Sequence, residues 1–364
     1  MTIPGPDSWA YEMAVTRKSH QWFADSNPST FVSTRHHTVP AFILRRFADD
    51  GRRLDIWRWS AGQIKPGAVS DLAIKSFYTM LNANGRLDGR IEELLGQVEQ
   101  AAAPDIDWLL SPLRGRKISQ DKRANLCSLI AFQLLRGPRK RKEIELQGDY
   151  YWKITNEQAL TPAELRDITA VPHPNEHLQI MMKAAQPLAA AMASRPLTVI
   201  WLDQPLLVIS DEPVLIDIDN HVRHIPQCEL TAVQRAQRQE DDIVHVWPTR
   251  PAGVEIADAI AMPVRPDALI ALGPKGHDGL LAIRYEGDEA GEVAREVNTA
   301  LVNQATEWVA ASPTHPSFKT WTFPERSAIL GVCDGGSIMS QQMQAAPVLK
   351  WQRIRKPDEN RRSQ

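Results

Sequence analysis

The hydrophobic pattern changes its period at Pro196, and that change constrains the fold more than any other feature of the sequence. Ahead of it, apolar residues recur at helical intervals. Between Ile91 and Leu110 the positions Ile91, Leu94, Leu95, Val98 and Ala102 make one buried face. From Ser119 to Leu135, Leu126, Ile130 and Leu134 form a stripe with Cys127 and Leu129 beside it; Ser119 suits the N-cap and Asp121 the positive first turn. Gly137-Pro138 interrupts this helix, because proline lacks the amide that the carbonyl of Leu134 needs, and the helix resumes from Arg139 to Leu146. Two more helices are expected at about Pro162 to Ile168 and Asn175 to Ala193. After Pro196 short β-branched and aliphatic runs take over: Leu197 to Leu202, Leu206 to Ser210 and Val214 to Ile218, with the look of an antiparallel meander. Further strands follow at Ala259 to Met262, Ala268 to Leu272 and Leu280 to Arg284, and a last helix runs from Glu289 to Ala311. Helices mainly first and strands mainly later exclude the regular alternation of a parallel α/β sheet. The expected fold is α+β, a helical N-terminal half packed against a mainly antiparallel sheet and closed by a C-terminal helix. Within the helical half, Phe42 to Phe47 (FILRRF) has a shortened pattern, and Arg53 to Trp59 reads as a strand after the Asp50-Gly51 turn.

The remaining boundaries come from loss of pattern. Residues 1–33 read as an arm, 34–312 as one α+β domain, and 313–364 as an extension with a basic mobile tail. That tail ends KWQRIRKPDENRRSQ, six basic against two acidic side chains. Gln227 to Asp242 is polar and reads as a surface insertion. The chain of 364 residues carries a net charge of −2, so no global field draws it to nucleic acid or an anionic membrane, and such a partner would need a local patch. The longest nearly apolar run, Leu126 to Leu135, is ten residues, half of the ~20 that a membrane-spanning helix requires. Cys127, Cys228 and Cys333 are odd in number and far apart; with no secretory signal visible, reduced thiols in a cytoplasm are expected.

Chemistry concentrates at a few places. His36 and His37 offer two imidazoles that titrate near neutral pH, although neighbours on a strand point to opposite faces and meet on one ion only in an irregular segment. Gln133 and Arg136 share a helix face just before the Gly137-Pro138 break, where a guanidinium beside an amide can hold a phosphate or carboxylate. Equally, Arg136 could satisfy freed carbonyls and a buried Glu99. Arg139-Lys140-Arg141-Lys142 resembles a nucleic-acid patch, against the ordinary alternative of a solvated basic face. At Ser210-Asp211-Glu212-Pro213 a turn ends an apolar strand and could project the Asp211 carboxylate as base or ligand, or fold it back as an Asx turn. Walker, dinucleotide, His-Glu-x-x-His, paired Cys-x-x-Cys and Gly-x-Ser-x-Gly signatures are absent from the sequence, which makes nucleotide-cofactor enzymes, zincins and standard serine hydrolases poor fits.

The ordered set of these motifs resembles a bacterial domain-of-unknown-function family, DUF4238. The likeness starts at His37-Thr38-Val39-Pro40-Ala41-Phe42-Ile43-Leu44-Arg45-Arg46-Phe47. It continues through Phe77-Tyr78, an acidic helix with Glu92 and Glu99, and the helix bearing Gln133, Arg136, Pro138 and Arg141. It closes with the Ser210-Asp211-x-Pro213 turn, the strand entry Met262 to Pro266 and a last helix with Asn298 and Asn303, so that it spans roughly Arg35 to Ser312. The chain departs from the pattern at Gly137 and at Glu212, where a threonine- or serine-like residue and an asparagine are expected. The resemblance supplies no reaction; it implies that the polar groups recur together, as in a shared pocket.

Two functions are expected from these residues. One is a hydrolase or toxin-like effector acting on a phosphate-containing small molecule or nucleic acid: His36, His37, Glu99 and Asp211 would be catalytic, and Gln133, Arg136, Arg141 and Ser210 would bind substrate. Asp211 with Glu99 could also hold a divalent cation. The other is a non-catalytic module in which the same arginines recognise a protein or small anion.

Overall fold

The computed structural model describes residues 35–75, 77–81, 87–111, 117–156, 174–217, 244–245, 254, 257–274, 279–324, 330–332 and 349–350. The expected arm at 1–33, the helix at Pro162 to Ile168, the insertion at Gln227 to Asp242, Cys228 and Cys333 lie outside the described residues. So does most of the expected basic tail. Two compact units are drawn from Met1–Ile144, Val171–Arg223 and Ala252–Phe323, and from Glu145–Ala170, His224–Pro251 and Pro324–Gln364. Among the described residues, no helix is long and apolar enough to cross a membrane.

The helices follow the sequence pattern with one addition. α1 (Ala41–Phe47) starts directly after Pro40 and buries Ile43, Leu44 and Phe47, so FILRRF is one amphipathic helical segment. α2 (Arg90–Leu109) and α3 (Gln120–Leu135) match expectation; the Ser119 hydroxyl caps α3 by accepting from Lys122 N at 3.3 Å. α3 stops at Leu135 and α4 (Pro138–Asn156) begins at the proline, which is the interruption that Gly137-Pro138 imposes. α5 (Pro174–Ala193) packs on α3, and its Leu178, Met181 and Ala185 join Phe132, Leu135, Ile91, Leu95, Phe77 and Tyr78 in one apolar cluster.

The strands of the first unit in chain order are β1 (Arg35–His37), β2 (Arg53–Arg58), β3 (Gln63–Ala68), β4 (Ala73–Lys75), β5 (Met80–Leu81), β6 (Leu87–Asp88), β7 (Leu197–Leu202), β8 (Ile209–Ser210) and β9 (Leu215–Asp217). In the second unit, β10 (Val244–His245) runs parallel to β15 (Leu330–Val332), which pairs antiparallel with β16 (Leu349–Lys350). Back in the first unit come β11 (Ala259–Arg265), β12 (Ala268–Leu272), β13 (Leu280–Tyr285), α6 (Gly287–Gln304) and β14 (Trp308–Ala311). The fold is α+β. A five-stranded sheet has the order β13-β7-β12-β11-β9, antiparallel except for the parallel pair β7/β13. A four-stranded antiparallel sheet has the order β3-β2-β14-β8.

Two sequence expectations are corrected. The runs after Pro196 do not make a meander: β7 lies between β12 and β13, β8 leaves for the other sheet beside β14, and β9 pairs with β11. The last helix ends at Gln304, and Trp308–Ala311 is a strand buried at every position between β2 and β8. The amides of Thr306 and Glu307, which would have continued the helix, are bound instead by the carboxylate of Asp211.

Candidate functional site

The site is built where β1, α2 and the end of α3 meet. β1 pairs with β4, and strand alternation sends its two imidazoles apart. His36 is buried, and the Tyr78 amide donates to its Nδ1 at 2.7 Å. That assignment puts the ring proton on Nε2, which lies 3.1 Å from the Glu92 carboxylate. Its ring also stacks on Tyr78, centroids 5.4 Å apart. His37 is half-buried and places Nε2 3.3 Å from the Val69 carbonyl, an acceptor, so Nε2 carries the proton and Nδ1 keeps its lone pair. Burial holds the His37 imidazole below its ordinary value, with the nearby Glu99 charge opposing and Arg45 and Arg136 reinforcing; it is neutral at pH 7.

Arg136, the residue at which α3 ends, is the centre of the network. Its guanidinium is buried; Nε donates to Gln133 Oε1 at 3.0 Å and Nη1 to Glu99 Oε1 at 2.7 Å. Gln133 in turn donates through Nε2 to the Thr38 carbonyl at 2.9 Å, which ties α3 to the residue after His37. Two atoms of this network are buried without a hydrogen-bond partner: Arg136 Nη2 and Thr38 Oγ1. A guanidinium N–H withdrawn from water and left unsatisfied costs more than the about 1–3 kcal/mol of a neutral donor, a loss that an anionic acceptor would recover.

Other groups close the helix break. The Leu135 carbonyl lies 2.9 Å from His177 Nε2, and the Arg136 carbonyl accepts from the Tyr78 hydroxyl at 3.2 Å. Arg136 therefore does not serve the freed carbonyls, and its ion pair with Glu99 is as the sequence suggested. Burial pushes the Tyr78 phenol up, and burial with the adjacent Arg141 charge pushes His177 down to about 4. His177 is thus neutral when folded, while its unfolded form titrates near 6.5. The unfolded state binds the extra proton between these values, so this group's contribution is lost as pH falls from about 6.5 to 4. His177→Gln, which keeps a donor for Leu135, is expected to lose about 2 kcal/mol less than wild type between pH 7 and pH 5, read by urea unfolding at both values.

Not every expected site residue joins this centre. Arg141 turns inward: its Nη2 donates to the Phe77 carbonyl at 2.5 Å and its guanidinium lies 3.7 Å from the Phe77 ring centroid. Arg139 and Lys140 both meet Glu143, at 3.3 and 2.9 Å. Ser210 Oγ donates to the Glu212 carbonyl at 2.9 Å. Asp211 is fully buried, and its two oxygens accept from Thr306 N at 2.8 Å and Glu307 N at 2.6 Å, so the carboxylate is engaged by backbone. Among the described residues, no group of three or more His, Cys, Asp or Glu side chains is placed to hold a metal ion.

With this geometry in view, a family comparison is decisive: the sequence model of the protein-of-unknown-function family DUF4238 matches residues 35–315. The chain belongs to DUF4238. No curated protein and no solved structure matches it. The DUF4238 match begins at the first residue of β1 and ends at His315, so it contains every residue of the centre. Gly137 and Glu212 touch each other in this protein. The Glu212 carboxylate lies against Gly137 Cα, where a Cβ would overlap both its oxygens, and it accepts from Arg139 N at 2.6 Å in the first turn of α4. Burial first, then the charge of Asp211, raises Glu212 well above the usual carboxylate range. Sequence reasoning missed Thr38, the Tyr78 hydroxyl and His177 as parts of the network. The Phe77-Tyr78 pair was the available signal for Tyr78, whereas Thr38 enters through its backbone carbonyl and a hydroxyl that no spacing marks.

Proposed function

We propose that this DUF4238 protein binds a phosphate-containing small molecule at Arg136 and that His37 transfers a proton there, the chemistry of a hydrolase or toxin-like effector. The observation that carries the reading is Arg136 Nη2, a buried donor with no protein acceptor, held in place from two sides by Glu99 and Gln133. In this reading Nη2 donates to a phosphoryl oxygen, and the free Nδ1 of neutral His37 takes a proton from water as its oxygen bonds to phosphorus; the P–O bond to the leaving group breaks, and the imidazolium returns the proton to the leaving oxygen. The Glu99 charge favours the imidazolium as it forms. A small ligand is favoured over nucleic acid because Arg139 and Lys140 share Glu143 and Arg141 faces inward, which leaves little of the basic run for a phosphate backbone. A second reading, anion recognition without catalysis, draws support from Asp211, whose carboxylate is fully buried and bound to two backbone amides.

The test is titration calorimetry with inorganic phosphate, nucleoside monophosphates and triphosphates, alongside a phosphate-release assay over the same compounds. Arg136→Lys keeps a charge but loses the fork, and should weaken binding at least about tenfold. His37→Ala should leave binding within about twofold and abolish release. Binding without release in wild type would establish the second reading; absence of binding to every compound would discard both.

A further inference from the structure

The outer edge of the five-stranded sheet carries a feature that the Arg136 centre does not use. β13 ends the sheet order, paired on one side with β7 over Leu280 to Tyr285. Among the described residues, no strand pairs with its other side. An unpaired edge presents a row of backbone N–H and C=O groups, and proteins usually blunt such an edge with lysine, proline or a bulge. β13 reads LLAIRY, with neither lysine nor proline, and its register with β7 is unbroken. Its one charge, Arg284, stands near the end of the strand and is engaged by Glu286 at 3.4 Å. Between Leu280 and Tyr285 all four side chains are exposed. Leu281 is 52% exposed and Ile283 37%; with Ile180 they are the exposed large hydrophobic side chains among the described residues. The two lie two residues apart and so on one face.

We propose that β13 is a homodimer interface, in which two copies pair their β13 strands antiparallel about a two-fold axis and join two five-stranded sheets into one. The strand is complementary to itself in a way that an unrelated peptide has no reason to match. A two-fold axis normal to the sheet keeps each residue on its own face, so facing residues have numbers of equal parity. With the axis at Ala282, Leu281 of each copy lies beside Ile283 of the other, twice, while Arg284 lies beside Leu280. Both exposed apolar side chains are covered by one operation, and the backbone row on each edge is satisfied by the other. This is the isologous arrangement commonest among oligomers. Cross-strand apolar pairs are individually weak, so the two Leu281/Ile283 pairs and the ladder between them give a dimer that dissociates on dilution.

Analytical ultracentrifugation of the full chain from 1 to 200 µM tests this. Wild type is expected to pass from monomer to dimer over that range, and Leu281→Lys and Ile283→Lys to stay monomeric, with the melting temperature of wild type at 1 µM, where it too is monomeric, since both side chains already face solvent. Ala282→Cys is expected to form a disulfide-linked dimer under mild oxidation that wild type, with its native cysteines, does not form. A monomeric wild type at 200 µM overturns the proposal, and so does a dimer that survives both lysine substitutions. A dimer lost in the lysine variants without cross-linking at Ala282 overturns the register.

Discussion

Gly137→Ala is expected to destabilise the protein by about 2–4 kcal/mol, more than an alanine ordinarily costs between two helices. The cause is a single contact. A Cβ at this position would sit 2.6 Å from Glu212 Cδ and overlap both carboxylate oxygens. That carboxylate is buried and bound to Arg139 N, so it cannot swing into water without abandoning the first turn of α4. Overpacking costs about 1–3 kcal/mol and a hydrogen bond between an amide and a charged or strongly polar acceptor about 1.5–3 kcal/mol; Gly137→Ala incurs part of each. Glycine would normally be the weaker choice here, since alanine restricts the unfolded chain and stabilises wherever it fits. The pairing of Gly137 with Glu212 makes the contact testable as a unit. Glu212→Ala should relieve the overlap, so the double variant is expected to be more stable than the sum of the single losses by at least about 1 kcal/mol. Glu212→Gln has the size of the native side chain and should rescue nothing. A double-mutant cycle by urea unfolding decides it: additive losses with alanine at both positions would show that the two residues act independently. Because Arg136 immediately precedes Gly137, the same alanine should also weaken phosphate binding, and restoring it should require the smaller residue at 212.

The helical half was open to sequence reading because its signals are local. Ser119 caps α3, and Pro138 ends it because a missing amide and a ring clash act within one turn, whatever the tertiary context. The same locality placed Gln133 and Arg136 on one face and separated His36 from His37 by strand alternation. Glu99 was within reach as the partner of Arg136 because an acidic side chain among alanines on a helix face is conspicuous. What stayed hidden depends on contacts between distant segments. Trp308–Ala311 continues a respectable helical pattern, and it becomes a strand because Asp211, some ninety-five residues earlier, removes the amides that a further turn requires. Likewise β7, β8 and β9 look alike in sequence yet join different partners, because each short run is apolar enough for any buried position and nothing local fixes which neighbour it meets. Arg136 Nη2 lies at the same limit: spacing can nominate an arginine, but only the packing around it leaves one nitrogen buried and unsatisfied.

Asp211→Ala should cost about 3–4 kcal/mol and should do so by unfolding the α6/β14 junction. Two amides, Thr306 N and Glu307 N, lose the acceptor that holds them, and a buried amide without a partner costs about 1–3 kcal/mol. Asp211→Asn preserves the shape and one acceptor but points an NH2 group at the other amide, so about half of that loss is expected. Burial pushes the Asp211 carboxyl up to about 6, with the two amide bonds opposing. A folded value above the unfolded one, near 3.8, means that the native state holds the extra proton between pH 4 and 6. This group's contribution is therefore largest below pH 4 and declines as pH rises through 6, the reverse of a carboxylate in a salt bridge. The stability gap between wild type and Asp211→Asn should narrow over that window, read by denaturant unfolding at pH 4 and pH 7. The same variant separates the two roles that the sequence allowed for Asp211. A carboxylate that pins two amides can be replaced by an amide and, well below the melting temperature, leave phosphate binding and release nearly intact. A carboxylate that accepts a proton from substrate cannot, and its loss would abolish release in a protein that still melts cooperatively.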